Sequence, residues 1–130
     1  MQQRTITGGI LFAVTWATLV GLPDAKCTSA EPMLVHNVYF TLHDASTKEA
    51  MVAACKKYLT NHPGTVFFAC GTLAQELDRP VNDRDFDVGL HIVFQTQADH
   101  DAYQVAPRHD QFIAENKANW RKVRVFDSTA

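Results

Sequence analysis

Tyr103 and His109 stand on either side of Pro107 in the segment DAYQVAPRHDQF, residues 101–112. An imidazole and a phenol are the two groups needed to move a proton beside a carbonyl. A neutral ring takes the proton, and a phenolic O–H stabilises the oxyanion that develops. Proline suits the first position of a helix, where its missing N–H would have had no partner. A helix restarting at Pro107 therefore puts His109 in its first turn. At about 100° per residue, His109 shares an arc with Phe112, Ile113 and Asn116, so its ring points toward whatever the helix packs on. Burial and the positive helix end both disfavour imidazolium, which keeps the ring available as a base near neutral pH. The commoner use of such spacing is a hydrogen-bonded core histidine, and both readings are open at this point.

The elements that must position these residues follow from periodicity. Residues 33–43, MLVHNVYFTLH, alternate with period two. His36, Val38, Phe40 and Leu42 face one way, and Val35, Asn37, Tyr39 and Thr41 the other, as in a strand. A helix follows, N-capped by Ser46 or Thr47, with a stripe of Met51, Ala54, Cys55, Tyr58 and Leu59, until His62-Pro63-Gly64 stops it. Residues 65–71, TVFFACG, read as a second strand, and the polar stretch ELDRPVNDR as a connection. A third strand spans 86–94, with Phe86, Val88, Leu90, Ile92 and Phe94 set against Asp87, Gly89, His91 and Val93. A short helix over 97–105 precedes the one from Pro107 to about residue 118. Trp120 leads into a fourth strand, in which Val123, Val125 and Asp127 alternate with Lys122, Arg124 and Phe126.

The order βαββαβ predicts an α+β ferredoxin-like fold, a four-stranded antiparallel sheet with helices on one face. Its first and last strands are antiparallel neighbours, so His36 and Asp127 meet at one end of the helix-facing side. Asp127 there either orients His109 and raises its basicity or pairs with His36 as a structural polar plug. The other sheet face carries Asn37, Tyr39, Thr41, His91, Val93 and Phe126. It is too aromatic for open water, which predicts a homodimer pairing two such faces.

Composition narrows the function classes. The chain has 130 residues, 46% of them hydrophobic, and a net charge of -2, enough for one domain with one core. Arg121-Lys122-Val123-Arg124 is its densest basic stretch, so no nucleic-acid partner is expected. No Gly-rich phosphate loop, serine nucleophile motif or Cys-His signature occurs, and no cofactor is expected. Among six histidines only His36 and His109 converge, with Asp127, and no HxH or HxxxH spacing supports them, so no metal is expected.

Residues 8–22, GGILFAVTWATLVGL, form an uncharged apolar run of signal-peptide length, and Thr28-Ser29-Ala30 offers small residues for cleavage. Residues 1–30 are thus expected to be a signal peptide or an uncleaved amino-terminal anchor, with a periplasmic, secreted or membrane-anchored domain over 31–130. Any membrane contact would run through residues 8–22. After cleavage two cysteines remain, Cys55 and Cys70, and both a disulfide and a pair of buried free thiols are open.

Three stretches in this order, VHNVYFTL, FDVGLHIVFQTQADHDAYQVAPRH and WRKVRVFD, resemble the stress-responsive A/B barrel (Dabb) family across residues 33–128. The resemblance implies a dimeric α+β barrel. Most members have no assigned activity, whereas olivetolic acid cyclase-type members close a polyketide ring by aldol condensation with a Tyr and a His. By motif these fall on Tyr103 and His109, and His36, Tyr58, Phe112, Trp120 and Asp127 match cleft-lining positions. Many members carry His-Pro where this chain has Ala106-Pro107. Combined with the helix-facing Val38, Phe40, Leu90 and Val123, this suggests a cleft for a small apolar or aromatic molecule. His109 would be the base, Tyr103 the oxyanion donor and Asp127 the orienting carboxylate. The alternative is a non-catalytic dimeric stress or structural protein of the cell envelope.

Overall fold

A computed structural model describes residues 30–130. The expected signal or anchor segment lies outside the described residues, apart from Ala30. Strand β1 (Leu34–Leu42) leads through a 3-10 turn (Ala45–Thr47) into α1 (Lys48–Leu59). Then come β2 (Thr65–Thr72), β3 (Val88–Phe94), α2 (Gln97–Gln104), α3 (Pro107–Asn116), a second 3-10 turn (Lys117–Asn119) and β4 (Trp120–Thr129). The strands form one sheet in the order β2-β3-β1-β4, with every neighbour antiparallel. Among the described residues no helix is long and apolar enough to cross a membrane.

The core lies between the sheet and the helices. Val38, Phe40, Leu90, Ile92 and Phe94 from the central strands meet Met51, Val52, Cys55 and Leu59 from α1, Tyr103 from α2 and Phe112 from α3. Helix α1 packs over β2 and β3 and α2 over β3. Val123 and Val125 of β4 stay well exposed. That uneven cover leaves a cleft along the β1–β4 side of the sheet.

Three local expectations are corrected. Thr47, one of the two expected caps, holds the N-cap position of α1, but its side chain makes no capping bond there. The Asp44 carboxylate accepts from the Ser46 backbone N–H at 3.0 Å and its hydroxyl at 2.6 Å, so the cap belongs to the 3-10 turn that feeds the helix. Phe86 is not on the helix-facing side. Strand β3 starts at Val88, and the segment before it is drawn across β1: the Thr41 hydroxyl donates to the Asp85 carbonyl at 2.9 Å and the Leu42 N–H to the Asp87 carboxylate at 2.7 Å. The chain leaves the strand pleat there, and Phe86 packs edge-on against Tyr39, 4.9 Å between ring centroids, on the opposite face. Val52, absent from the expected stripe of α1, is buried in it. Cys55 and Cys70 are free thiols, and the contact between them, with burial, pushes the Cys55 thiol up.

Gly64, with φ +76°, turns the chain between α1 and β2. A Cβ there would lie 2.1 Å from Asp99 Cγ, at the first turn of α2, where the Thr96 hydroxyl caps the Asp99 N–H at 3.2 Å. This tight turn therefore helps to seat the helix that carries Tyr103. Gly64→Ala combines a left-handed backbone with that clash and is expected to cost roughly 1–3 kcal/mol, read as a lowered urea midpoint at unchanged slope. An unchanged midpoint would mean that α2 moves aside freely.

Candidate functional site

The cleft has a volume of about 310 Å³, with His36, Val38 and Phe40 of β1 and Leu90 of β3 on its sheet side. Val123, Val125 and Asp127 of β4, Trp120 and Leu59 also border it, and the helices add Tyr103, Gln104, His109, Phe112 and Ile113. Ten of the eleven residues singled out from the sequence meet at this cleft. Tyr58 does not. Its hydroxyl donates to the Glu115 carboxylate at 2.5 Å and accepts from Lys57 at 2.5 Å, which ties it to the far side of α1 and α3. A larger hollow, about 480 Å³, lies on the other sheet face among Tyr39, Phe86, Arg124 and Phe126. Its charged groups, Arg124 and Asp83, are bonded to each other, so chemistry is better served by the smaller cleft.

Pro107 occupies the first turn of α3, and Ala106 before it is extended with ψ 136°, as the residue preceding a proline prefers. The restarted helix brings the His109 ring to 4.6 Å from the Tyr103 ring, centroid to centroid. His109 Nδ1–H donates to the Gln104 carbonyl at 3.1 Å, which leaves Nε2 of the neutral ring with a free lone pair. Burial pulls His109 below its ordinary value, with the neighbouring His36 and His62 adding to the effect against the Gln104 bond and Asp110. Burial pushes the Tyr103 hydroxyl up, so it remains an O–H donor.

His36 pairs with Asp127 across β1 and β4, and its Nδ1–H donates to the carboxylate at 2.6 Å. His36 is 4% exposed, while the Asp127 side chain is 44% exposed, so a buried ring is held by a carboxylate that reaches solvent. Burial lowers the His36 pKa, and the Asp127 bond offsets this in part. The carboxylate thus bonds His36, and a backbone carbonyl meets His109. The expected role of Asp127 in orienting His109 is filled by Gln104.

Two histidines escaped the sequence reading. His62 lies with its ring centroid 4.9 Å from Tyr103 and bonds the Tyr58 carbonyl through Nε2 at 2.9 Å. His100 lies 5.0 Å from His36 and 6.4 Å from Tyr103. The i, i+3 spacing of His100 and Tyr103 on α2 was a usable signal, because those positions share a helix face. For His62, which only ends a helix, there was none. Trp120 Nε1, on an indole bordering the cleft, is buried without a hydrogen-bond partner among the described residues.

His91, bonded to Asn37 on the other face, is also held below 6.5 by burial, as His109 is. For both groups the unfolded chain binds protons more readily than the folded one below that value. Their contribution is therefore intact above pH 6.5 and is lost as pH falls through the lower folded values. Urea midpoints are expected to be level from pH 8 to 7 and to fall between about pH 6.5 and 5, a midpoint that rises on acidification contradicting this assignment.

Residues 34–130 match the family model described as the stress-responsive A/B barrel domain. The chain belongs to the stress-responsive A/B barrel family. A Dabb family protein of Mesorhizobium loti with a ferredoxin-like fold is similar at 24% identity and TM-score 0.64, over 77% of this chain and 98% of that one. A dimeric ferredoxin-like protein of unknown function from Thermobifida fusca is 16% identical, with TM-score 0.63 over 77% and 92% of the two chains. The hydroxynitrile lyase of Passiflora edulis is 19% identical, with TM-score 0.61 over 78% and 94%. No curated protein matches the chain in sequence. At these identities the structural likeness speaks to the fold, and the Dabb domain fold expected from the sequence is what the chain has.

Proposed function

We propose that this Dabb domain binds a small apolar or aromatic carbonyl compound in the cleft and moves a proton at the carbon beside the carbonyl. His109 Nε2 is the base and the Tyr103 hydroxyl the donor to the developing oxyanion. The observation that carries this reading is the Tyr103–His109 pair, 4.6 Å between rings on the cleft wall, with the histidine tautomer set by the Gln104 carbonyl. A neighbour in fold that is named as a hydroxynitrile lyase is consistent with small-molecule chemistry on this scaffold.

The same reading includes a homodimer formed through the outer face. Phe126 there is 53% exposed beside Tyr39, and neighbours in fold are described as dimeric. It also includes export, on the strength of the apolar run over residues 8–22. That exposed aromatic face favours a second reading, a non-catalytic dimeric stress or structural protein of the cell envelope.

The test uses a panel of aryl alkyl ketones and arylacetaldehydes, all with C–H bonds beside the carbonyl, with the purified protein in D2O. Thermal stabilisation reports binding, and NMR reports exchange of the protons beside the carbonyl. Stabilisation by at least one compound with exchange above the buffer rate supports the enzyme. No stabilisation and buffer-rate exchange across the panel would leave the non-catalytic reading.

A further inference from the structure

The fold assembles a donor set that the sequence spacing concealed. One ligand atom each from His36, His100 and Asp127 lies within 4.8 Å of the others. The three come from β1, α2 and β4, so no local motif announces them. The two imidazoles have centroids 5.0 Å apart, inclined at 57°, with no hydrogen bond between them. The geometry points to a divalent-metal site at His36, His100 and Asp127, of the two-imidazole, one-carboxylate kind, at the end of the cleft.

Several features fit a cation there. Among the described residues the titratable groups that act on His36 are Asp127 and His100, with no lysine or arginine beside them to compete. Neighbouring ligands about 2.1 Å from an ion sit roughly 3.0–3.4 Å apart. The His36–Asp127 pair at 2.6 Å must open slightly, and the wider separations must close. The Asp127 side chain is the one with freedom to move, being 44% exposed, while His36 is anchored in the core. Both ring nitrogens of His100 have partners, Nδ1 3.3 Å from Asp101 Oδ1 and Nε2 accepting from the Gln104 amide at 3.0 Å. An ion on Nε2 displaces the Gln104 amide and leaves Asp101 as the outer partner that ligating histidines commonly have.

Two nitrogens and one oxygen suit zinc and its first-row neighbours, not calcium or magnesium, which take oxygen ligands. The ion replaces the proton that His36 shares with Asp127, so binding releases that proton. Three protein ligands leave a position for water or a ligand oxygen, and because His36 and Asp127 both border the cleft, an oxygen bound there faces it. Neither Tyr103 nor His109 is a ligand, so the metal site stands or falls apart from the proton-transfer reading.

The test is titration of the full chain with Zn²⁺, and with Mg²⁺ as the oxygen-preferring control, followed by calorimetry and thermal unfolding. Saturable binding of one Zn²⁺ per chain, with stabilisation and no response to Mg²⁺, is expected. His100→Ala and Asp127→Ala are each expected to weaken Zn²⁺ binding by more than about 10-fold. His43→Ala, at an exposed histidine outside the cluster, should leave it unchanged. Co²⁺ should give a visible absorption band that is lost in His100→Ala. Absence of saturable Zn²⁺ binding overturns the assignment. So does affinity that survives His100→Ala, or that falls equally with His43→Ala. Should Asp127→Ala fail to fold, Asp127→Asn and His100→Ala decide the matter, since His100 lies on a helix surface with its side chain partly exposed.

Discussion

His109→Ala is expected to slow exchange beside the carbonyl of a bound ligand by about 10²–10⁴-fold, the range for removing a positioned general base. The fold should survive. The ring is only half-buried and makes one backbone bond, to Gln104, so stability should drop by no more than about 1 kcal/mol. Ligand affinity should change little, because the apolar wall formed by Val38, Phe40, Phe112 and Val123 is untouched. Tyr103→Phe should lower the exchange rate by a further measurable factor while keeping the ring contacts to His62 and Phe94. NMR exchange rates and thermal shifts for the same ligand separate the two effects. A variant that loses several kcal/mol and binds nothing would identify the histidine as part of the core.

Phe94→Ala should produce the largest loss of stability, about 3–5 kcal/mol, by removing a fully buried ring. A domain of this size has only about 5–15 kcal/mol in total, so the urea midpoint should fall by roughly a fifth or more. Phe94 also lies 5.0 Å from the Tyr103 ring and 5.6 Å from His100. The cavity would therefore open beneath α2, and Tyr103 and His100 on that helix should lose their fixed positions. Chemical denaturation gives the first effect. Broadened Tyr103 ring signals give the second, and sharp, unshifted signals would show that α2 does not depend on this contact.

Much of this arrangement was legible in the sequence because a sheet buried on one side writes itself in period two. The alternation in residues 33–43 and 86–94 placed β1 and β3. Antiparallel pairing of the first and last strands then brings His36 to Asp127 from strand order alone. Pro107 fixed the phase of α3 and with it the direction of His109. What failed did so where tertiary contacts override local pattern. Phe86 continues the alternation perfectly, yet the Asp85 and Asp87 bonds to β1 pull the chain out of the pleat and turn its ring away. Tyr58 lies on the correct stripe of α1, but its hydroxyl finds Glu115. His62 reaches Tyr103, and His100 reaches His36, only through tertiary packing, contacts that no spacing in the chain encodes.

Trp120 gives the cleft an optical signature. The chain has two tryptophans, and Trp120 is the one within residues 30–130. Its indole packs 5.1 Å from Phe40 and 5.6 Å from Phe112, and its N–H is buried and unbonded. A ligand that brings an acceptor oxygen to that N–H relieves the desolvation the folded protein otherwise bears, and it alters the surroundings of the fluorophore in the same event. Within residues 30–130 occupancy of the cleft is thus coupled to the emission of a single tryptophan, which reports the filling without a label.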